Sequence, residues 1–180
     1  IANSNIVRVE IGTKVRSIGQ DAFSYVYPGL PLQSVTIPDS VTSIGYGAFR
    51  YCRELQSVTI PDSVTSIGEK AFRECWNLQS VTLPTNVNFT SIGGEAFYQC
   101  RALQSVTIPD SVTSIGNYAF FECKNLQNVT IPDSVTSIGI VAFRDCHVLQ
   151  SVTIGNSVET IGNEAFKYFR ALQSVTIPNS

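Results

Sequence analysis

The sequence predicts a repeat solenoid, mostly β, with one short strand per coil, and three observations predict it. The stretch Leu55-Gln56-Ser57-Val58-Thr59-Ile60-Pro61-Asp62-Ser63-Val64-Thr65-Ser66-Ile67-Gly68, closed by Ala71-Phe72 and Cys75, recurs almost unchanged along all 180 residues. The leucines that open the copies, Leu32, Leu55, Leu78, Leu103, Leu126 and Leu149, keep one spacing except across the third copy. Within a copy, apolar residues first alternate and then recur every three or four positions. Self-similarity of this kind marks an array in which each unit buries its apolar face only by stacking on its neighbours.

Each segment of a coil has its own chemistry. In Ser57-Val58-Thr59-Ile60 the two-residue period is that of a half-buried strand, with Val58 and Ile60 inward and Ser57 and Thr59 outward. Pro61 cannot donate to a ladder, so it ends the strand. Pro61-Asp62-Ser63 reads as a turn, with Asp and Ser side chains capping nearby backbone. Val64 and Ile67 return inward, and Gly68 supplies a positive φ for the next turn. The spacing of Ala71, Phe72 and Cys75 suits one short helical or 3₁₀ turn.

The chain therefore reads as one array. A divergent first coil spans 1–31, and a start near Ile6 opens it. Full coils span 32–54, 55–77, 78–102, 103–125, 126–148 and 149–171, and a partial coil spans 172–180. The first coil carries extra residues around Pro28-Gly29-Leu30-Pro31, and the third carries two near Asn88-Phe89. Neither end shows a polar capping unit, as expected of an excerpt from a longer array.

Composition narrows the function classes. A net charge of -2 lacks the basic footprint of a nucleic-acid binder. No apolar run approaches the roughly 18 residues of a membrane span, so no membrane insertion is expected. The N-terminus has no charged segment followed by an apolar one, and no signal peptide is read there; a processed secreted chain would look the same. With 43% hydrophobic and only 14% charged residues, Ser, Thr, Gln and Asn must supply much of the surface.

The pattern L-x-x-V-T-I-P-x-S-V-T-S-I-G-x-x-A-F-x-x-C resembles the BspA-like leucine-rich repeats, also called the Treponema pallidum type, over nearly the whole chain. The resemblance implies a right-handed solenoid with a parallel β-sheet on its concave face and short turns on the other sides. It also implies an extracellular or cell-surface protein that takes part in adhesion to a protein or glycan ligand.

Several columns of like residues carry candidate chemistry. Cys52, Cys75, Cys100, Cys123 and Cys146 share one position. Phe169 fills it in the sixth coil and Val26 in the first, so the slot is apolar and the thiols read as structural. The odd number also forbids complete pairing. Asp39, Asp62, Asp110 and Asp133 follow each strand, where stacked carboxylates invite Ca²⁺. Thr85 interrupts that column, and Asn156 and Asn179 replace it, which favours turn caps.

Two columns vary between coils. Arg50, Arg73, Tyr98, Phe121, Arg144 and Lys167 follow the Phe; Arg53, Trp76, Arg101, Lys124, His147 and Arg170 follow the Cys. They predict a basic and aromatic edge suited to sulfated or carboxylated glycans or an acidic protein patch. Glu74, Glu122 and Asp145 stand in an adjacent column and would neutralise it. The strand face is uniform instead, a hydroxyl ladder of Ser57, Thr59, Ser80, Thr82, Ser105, Thr107, Thr130 and Thr153, with Ser34, Thr36, Asn128, Ser151, Ser174 and Thr176 completing the columns. Such a ladder resembles the ice-binding faces of some β-solenoids, although those faces are flat.

Asn88-Phe89-Thr90 and Asn128-Val129-Thr130 match the N-glycosylation acceptor pattern. Phe89 either projects as a local contact or packs back on the corner. No catalytic constellation, cofactor loop or metal-ligand spacing stands out. The single His147 follows the buried Cys146, and adjacent residues there point apart. The reading is a non-enzymatic binding module, with a self-associating structural array and an ice-binding protein as its alternatives.

Overall fold

Three ladders run along the molecule, one on each side of the coil, because every coil repeats the same residues against its neighbours. The computed structural model describes residues 8–24 and 31–176. Ile6, Val26, Pro28-Gly29-Leu30 and Asn179 lie outside them.

The first side is a broad parallel sheet. Strands Arg8–Glu10, Ser34–Thr36, Ser57–Thr59 and Ser80–Thr82 pair in that order, as do Asn128–Ile131, Ser151–Ile154 and Ser174–Thr176. Single bridges from Ser105 to Ser80 and to Asn128 join the two groups. The register sets each repeat position opposite the same position of the next coil, with Val58 opposite Val81 and Thr130 opposite Thr153. Valines point in and hydroxyls out, as the two-residue period requires.

The second side carries two-residue strands such as Ser43–Ile44 and Ser66–Ile67. Their ladder splits into Ser17–Ile18, Ser43–Ile44, Ser66–Ile67 and a second set from Ser91–Ile92 to Thr160–Ile161. The break falls where Val87 and Asn88 are inserted. Between the strands, hydroxyls reach across coils: Ser63 Oγ donates to the Val41 carbonyl (2.6 Å) and Thr65 Oγ1 to the Thr42 carbonyl (3.3 Å). Asp62 Oδ1 accepts from the Thr85 N–H (2.6 Å), and Asp133 Oδ1 from the Asn156 N–H (2.7 Å). These bonds clasp neighbouring coils rather than cap the local turn.

No helix is present among the described residues. The third side is a run of tight turns in which alternate peptide units serve two purposes. Lys70, Phe72 and Glu74 N–H donate to the Gly94, Ala96 and Tyr98 carbonyls of the next coil, at 3.0, 2.9 and 2.7 Å. Ala71, Arg73 and Cys75 N–H close turns on Gly68, Lys70 and Phe72 of their own coil. Lys70 (φ 60) and Glu74 (φ 58) take the left-handed conformation this demands.

Gly68 is not the positive-φ residue. It is needed for close approach, since a Cβ there would lie 2.6 Å from the Gly45 carbonyl carbon and the Tyr46 nitrogen.

The interior is a set of stacked columns. Phe23, Phe49, Phe72, Phe97, Phe120, Phe143 and Phe166 stack face to face, their centroids 5.1–5.5 Å apart. Phe89 occupies the slot that Val64 fills in the coil before, and it is fully buried. It therefore packs on the corner and does not project. All five cysteines are free and buried.

Candidate binding surfaces

The turn side and the broad sheet present opposite kinds of polar surface. On the turn side, the two variable columns do assemble into one edge. The Trp76 ring lies between guanidiniums of the coils before and after it, 3.8 Å from Arg53 and 5.0 Å from Arg101. Arg73 lies over Tyr98 at 4.2 Å, and Tyr98 stacks on Phe121 at 4.9 Å. Arg50 lies over Tyr51, while Arg144 and Lys167 flank Tyr168. Phe169, at the Cys position, is half-buried and edge-on to Phe166.

Carboxylates answer most of those cations. Glu74 contacts Arg53 (3.8 Å) and Arg73 (3.5 Å), and Glu122 contacts Arg101 (3.7 Å) and Lys124 (3.2 Å). Asp145 holds Arg144 and His147, both at 3.3 Å. Glu95 bridges Lys70 and Arg73, Glu164 takes Arg144 and Lys167, and Asp21 takes Arg50. Every member of the edge is half-buried except Arg170, which is exposed. The edge is thus electrically closed on itself for most of its length.

Beneath it, the thiols are engaged too. Cys75 Sγ donates to the Phe49 carbonyl and Cys100 Sγ to the Phe72 carbonyl, both at 3.2 Å, and Cys52, Cys123 and Cys146 repeat the contact. The slot therefore asks for a small donor as well as an apolar side chain. Burial pushes every thiol up, Cys52 to about 12, so each keeps the proton it donates.

The broad face is open by contrast. Ser57, Thr59, Ser80, Thr82, Ser105, Thr107, Thr130 and Thr153 are all exposed. A third column, Gln33, Gln56, Gln79, Gln104, Gln127, Gln150 and Gln173, runs beside them, equally exposed and bonded coil to coil through its backbone. The sequence reading leaves this column out of the candidate face, although its identity in every coil from Gln33 onward marks it as clearly as the serines.

Among the described residues, one side-chain hydrogen bond lies on the Gln, Ser and Thr columns, Ser151 Oγ to Asn128 Oδ1 at 2.7 Å. The columns carry no charge from Gln33 onward; in the first coil Arg8 and Glu10 take the Ser and Thr positions and pair with each other. A groove of about 820 Å³ follows the face past Thr107, Thr130 and Thr153 to Asp133 and Asn156.

No group of three or more His, Cys, Asp or Glu able to hold a metal occurs among the described residues. Among the described residues no helix is long and apolar enough to cross a membrane.

Known proteins place this geometry. A sequence profile described as a BspA type leucine rich repeat region, in 6 copies, matches residues 1–91 and 90–180. The crystal structure of the Treponema pallidum leucine rich repeat protein is similar, with a TM-score of 0.73 and 30% identity over 94% of this chain and 68% of that one. A leucine-rich repeat protein from Bacteroides ovatus is similar too, with a TM-score of 0.71 and 31% identity over 92% of this chain and 48% of that one. No curated protein matches the sequence.

Proposed function

The chain belongs to the BspA-type leucine-rich repeat family, and from that premise we propose that it is a non-enzymatic binding module whose broad sheet face holds an extended, neutral, hydroxyl-rich ligand. We place it outside the cell or on its surface, where adhesion to glycans would serve. One observation carries the reading: the Gln, Ser and Thr columns are exposed, in register and almost unbonded to each other.

Hydrogen-bonding groups left to water are available to a ligand. Each such bond is worth only about 0.5–1.5 kcal/mol net. Rows repeat every 4.8 Å or so, so a chain ligand lying across several coils adds these small terms without reordering a rigid scaffold. A face without aromatic or arginine anchors is poorly suited to a compact protein hot spot, which favours the glycan over the protein ligand.

The turn-side edge remains the second reading. Its supporting observation is the Trp76 ring between two guanidiniums, with Trp76 Nε1 and the Nε of Arg53 and Arg101 lacking partners. Binding to neutral and to sulfated polysaccharides separates the two. The face reading expects neutral-glycan binding that falls at least tenfold in the triple variant Thr82→Val, Thr107→Val, Thr130→Val and survives Arg53→Ala, Arg101→Ala, Arg144→Ala. Heparin binding lost only in the arginine variant would move the site to the edge, and an unaffected Thr variant would remove the face.

A further inference from the structure

The two glycan-acceptor patterns sit in contrasting surroundings. Val87 and Asn88 are the residues that the third coil adds, and the chain returns to register on both sides of them. Thr85 is bonded to Asp62, Asn86 Nδ2 donates to the Val64 carbonyl (2.8 Å), and Ser111 Oγ donates to the Phe89 carbonyl (2.8 Å). The insert therefore leaves the wall as a tight turn, closed by Phe89 N–H on the Asn86 carbonyl (3.1 Å) and Asn88 N–H on Asn86 Oδ1 (2.9 Å).

Asn88 is exposed, and its side-chain amide has no hydrogen-bond partner among the described residues. Beside it, Val87 is 81% exposed, next to a groove of about 440 Å³ lined by Thr85, Thr107, Pro109 and Asp110. Asn128 is placed oppositely. It lies within strand Asn128–Ile131, paired with Ser151 on one side and bridged to Ser105 on the other, and its Oδ1 accepts the Ser151 hydroxyl.

We propose that Asn88, and not Asn128, is the acceptor of an N-linked glycan when the chain passes a membrane that carries an oligosaccharyltransferase. The donor is a lipid-diphosphate-linked oligosaccharide. Asn88 Nδ2 forms a bond to the sugar C1 as the C1–O bond to the diphosphate breaks. The lipid diphosphate leaves with that electron pair, the amide gives up one proton, and nothing is oxidised or reduced. The exposed Thr90 completes the acceptor pattern on the same corner. Attached there, the first sugars would lie over Val87 and the adjoining groove, at the border of the broad face beside Thr107.

The proposal rests on the export assumed under the proposed function, and the test supplies that export itself. The full chain is secreted from eukaryotic cells behind a cleavable leader, and its intact mass is read before and after peptide-N-glycosidase. One glycan is expected on the wild type and on Asn128→Gln, and none on Asn88→Gln or Thr90→Ala. Secretion level and circular dichroism show that each variant folds. An unmodified secreted wild type, a glycan that survives Asn88→Gln, or occupancy of Asn128 overturns it. None of these outcomes bears on ligand binding by the broad face.

Discussion

The turn side and the broad face both carry rows of polar side chains and use them in opposite ways. On the turn side the thiols, most of the charged groups and the peptide units find partners inside the array: thiol to Phe carbonyl, guanidinium to carboxylate, peptide to the next coil. Trp76 Nε1 and several arginine Nε atoms do not. On the broad face the backbone is satisfied by the ladder, and the side chains are left to solvent. The difference teaches which repeated positions hold coils together and which are merely carried by them. Column identity alone does not separate the two, since Cys75 and Thr59 recur with similar regularity.

The sharpest way to break that contrast is alkaline pH. Five buried thiols are raised well above their ordinary range. An unfolded thiol releases its proton near pH 8.5, whereas the folded chain holds its protons until far higher pH, about 12 for Cys52. The stabilisation is therefore complete below about pH 8.5 and is lost as pH rises from there towards the folded values. At about 1.4 kcal/mol per thiol and pH unit, the five together give a slope of about 7 kcal/mol per unit. Urea midpoints taken between pH 7 and pH 10 should collapse accordingly, and Cys123→Ala should reduce the slope by about a fifth. Stability that stays level to pH 10 would sink the thiol account. Broad-face variants such as Thr107→Val should leave the slope unchanged.

The next effect lies at the glycine corner bordering the turn side. A Cβ on Gly116 would sit 2.5 Å from the Gly94 nitrogen, whereas on Gly93 its nearest neighbours are at 3.0 and 3.2 Å. The looser spot is where the second-side ladder breaks beside the Val87-Asn88 insert. Gly116→Ala should cost about 2–3 kcal/mol through overpacking, and Gly93→Ala about 1 kcal/mol. Equal losses in equilibrium unfolding would show that the corner is not loosened there.

Much of this arrangement was legible in the sequence. The period, the strand, its inward valines, the Phe and Cys slots and the like-on-like columns all follow from one requirement: a coil must offer its neighbours the shape they offer it. What escaped was whatever depends on the neighbouring coil's backbone. Gly68 read as a positive-φ residue because sequence cannot tell conformational freedom from close approach, and the left-handed positions fall instead on Lys70 and Glu74. Asp62 and Ser63 read as local caps, yet their partners lie one coil away. Spacing placed Glu74 and Glu122 beside the basic columns but could not say which cation each reaches.

The smallest effect probes that pairing. Glu122 stands between Arg101 and Lys124, whose side chains are 41% and 39% exposed. Solvent screens such contacts, so Glu122→Gln should cost at most about 0.5–1 kcal/mol at low salt. The Debye length falls from about 10 Å at 0.1 M to about 3 Å at 1 M, so the difference between variant and wild type should vanish in 1 M NaCl. Trp76→Leu should behave otherwise: it removes ring contacts with Arg53 and Arg101 worth about 0.5–1 kcal/mol each, and close stacking of guanidinium on indole persists in salt. If Glu122→Gln instead loses several kcal/mol, or loses the same amount at both salt concentrations, then the carboxylate holds the coils by packing, and the edge is part of the core rather than its charged border.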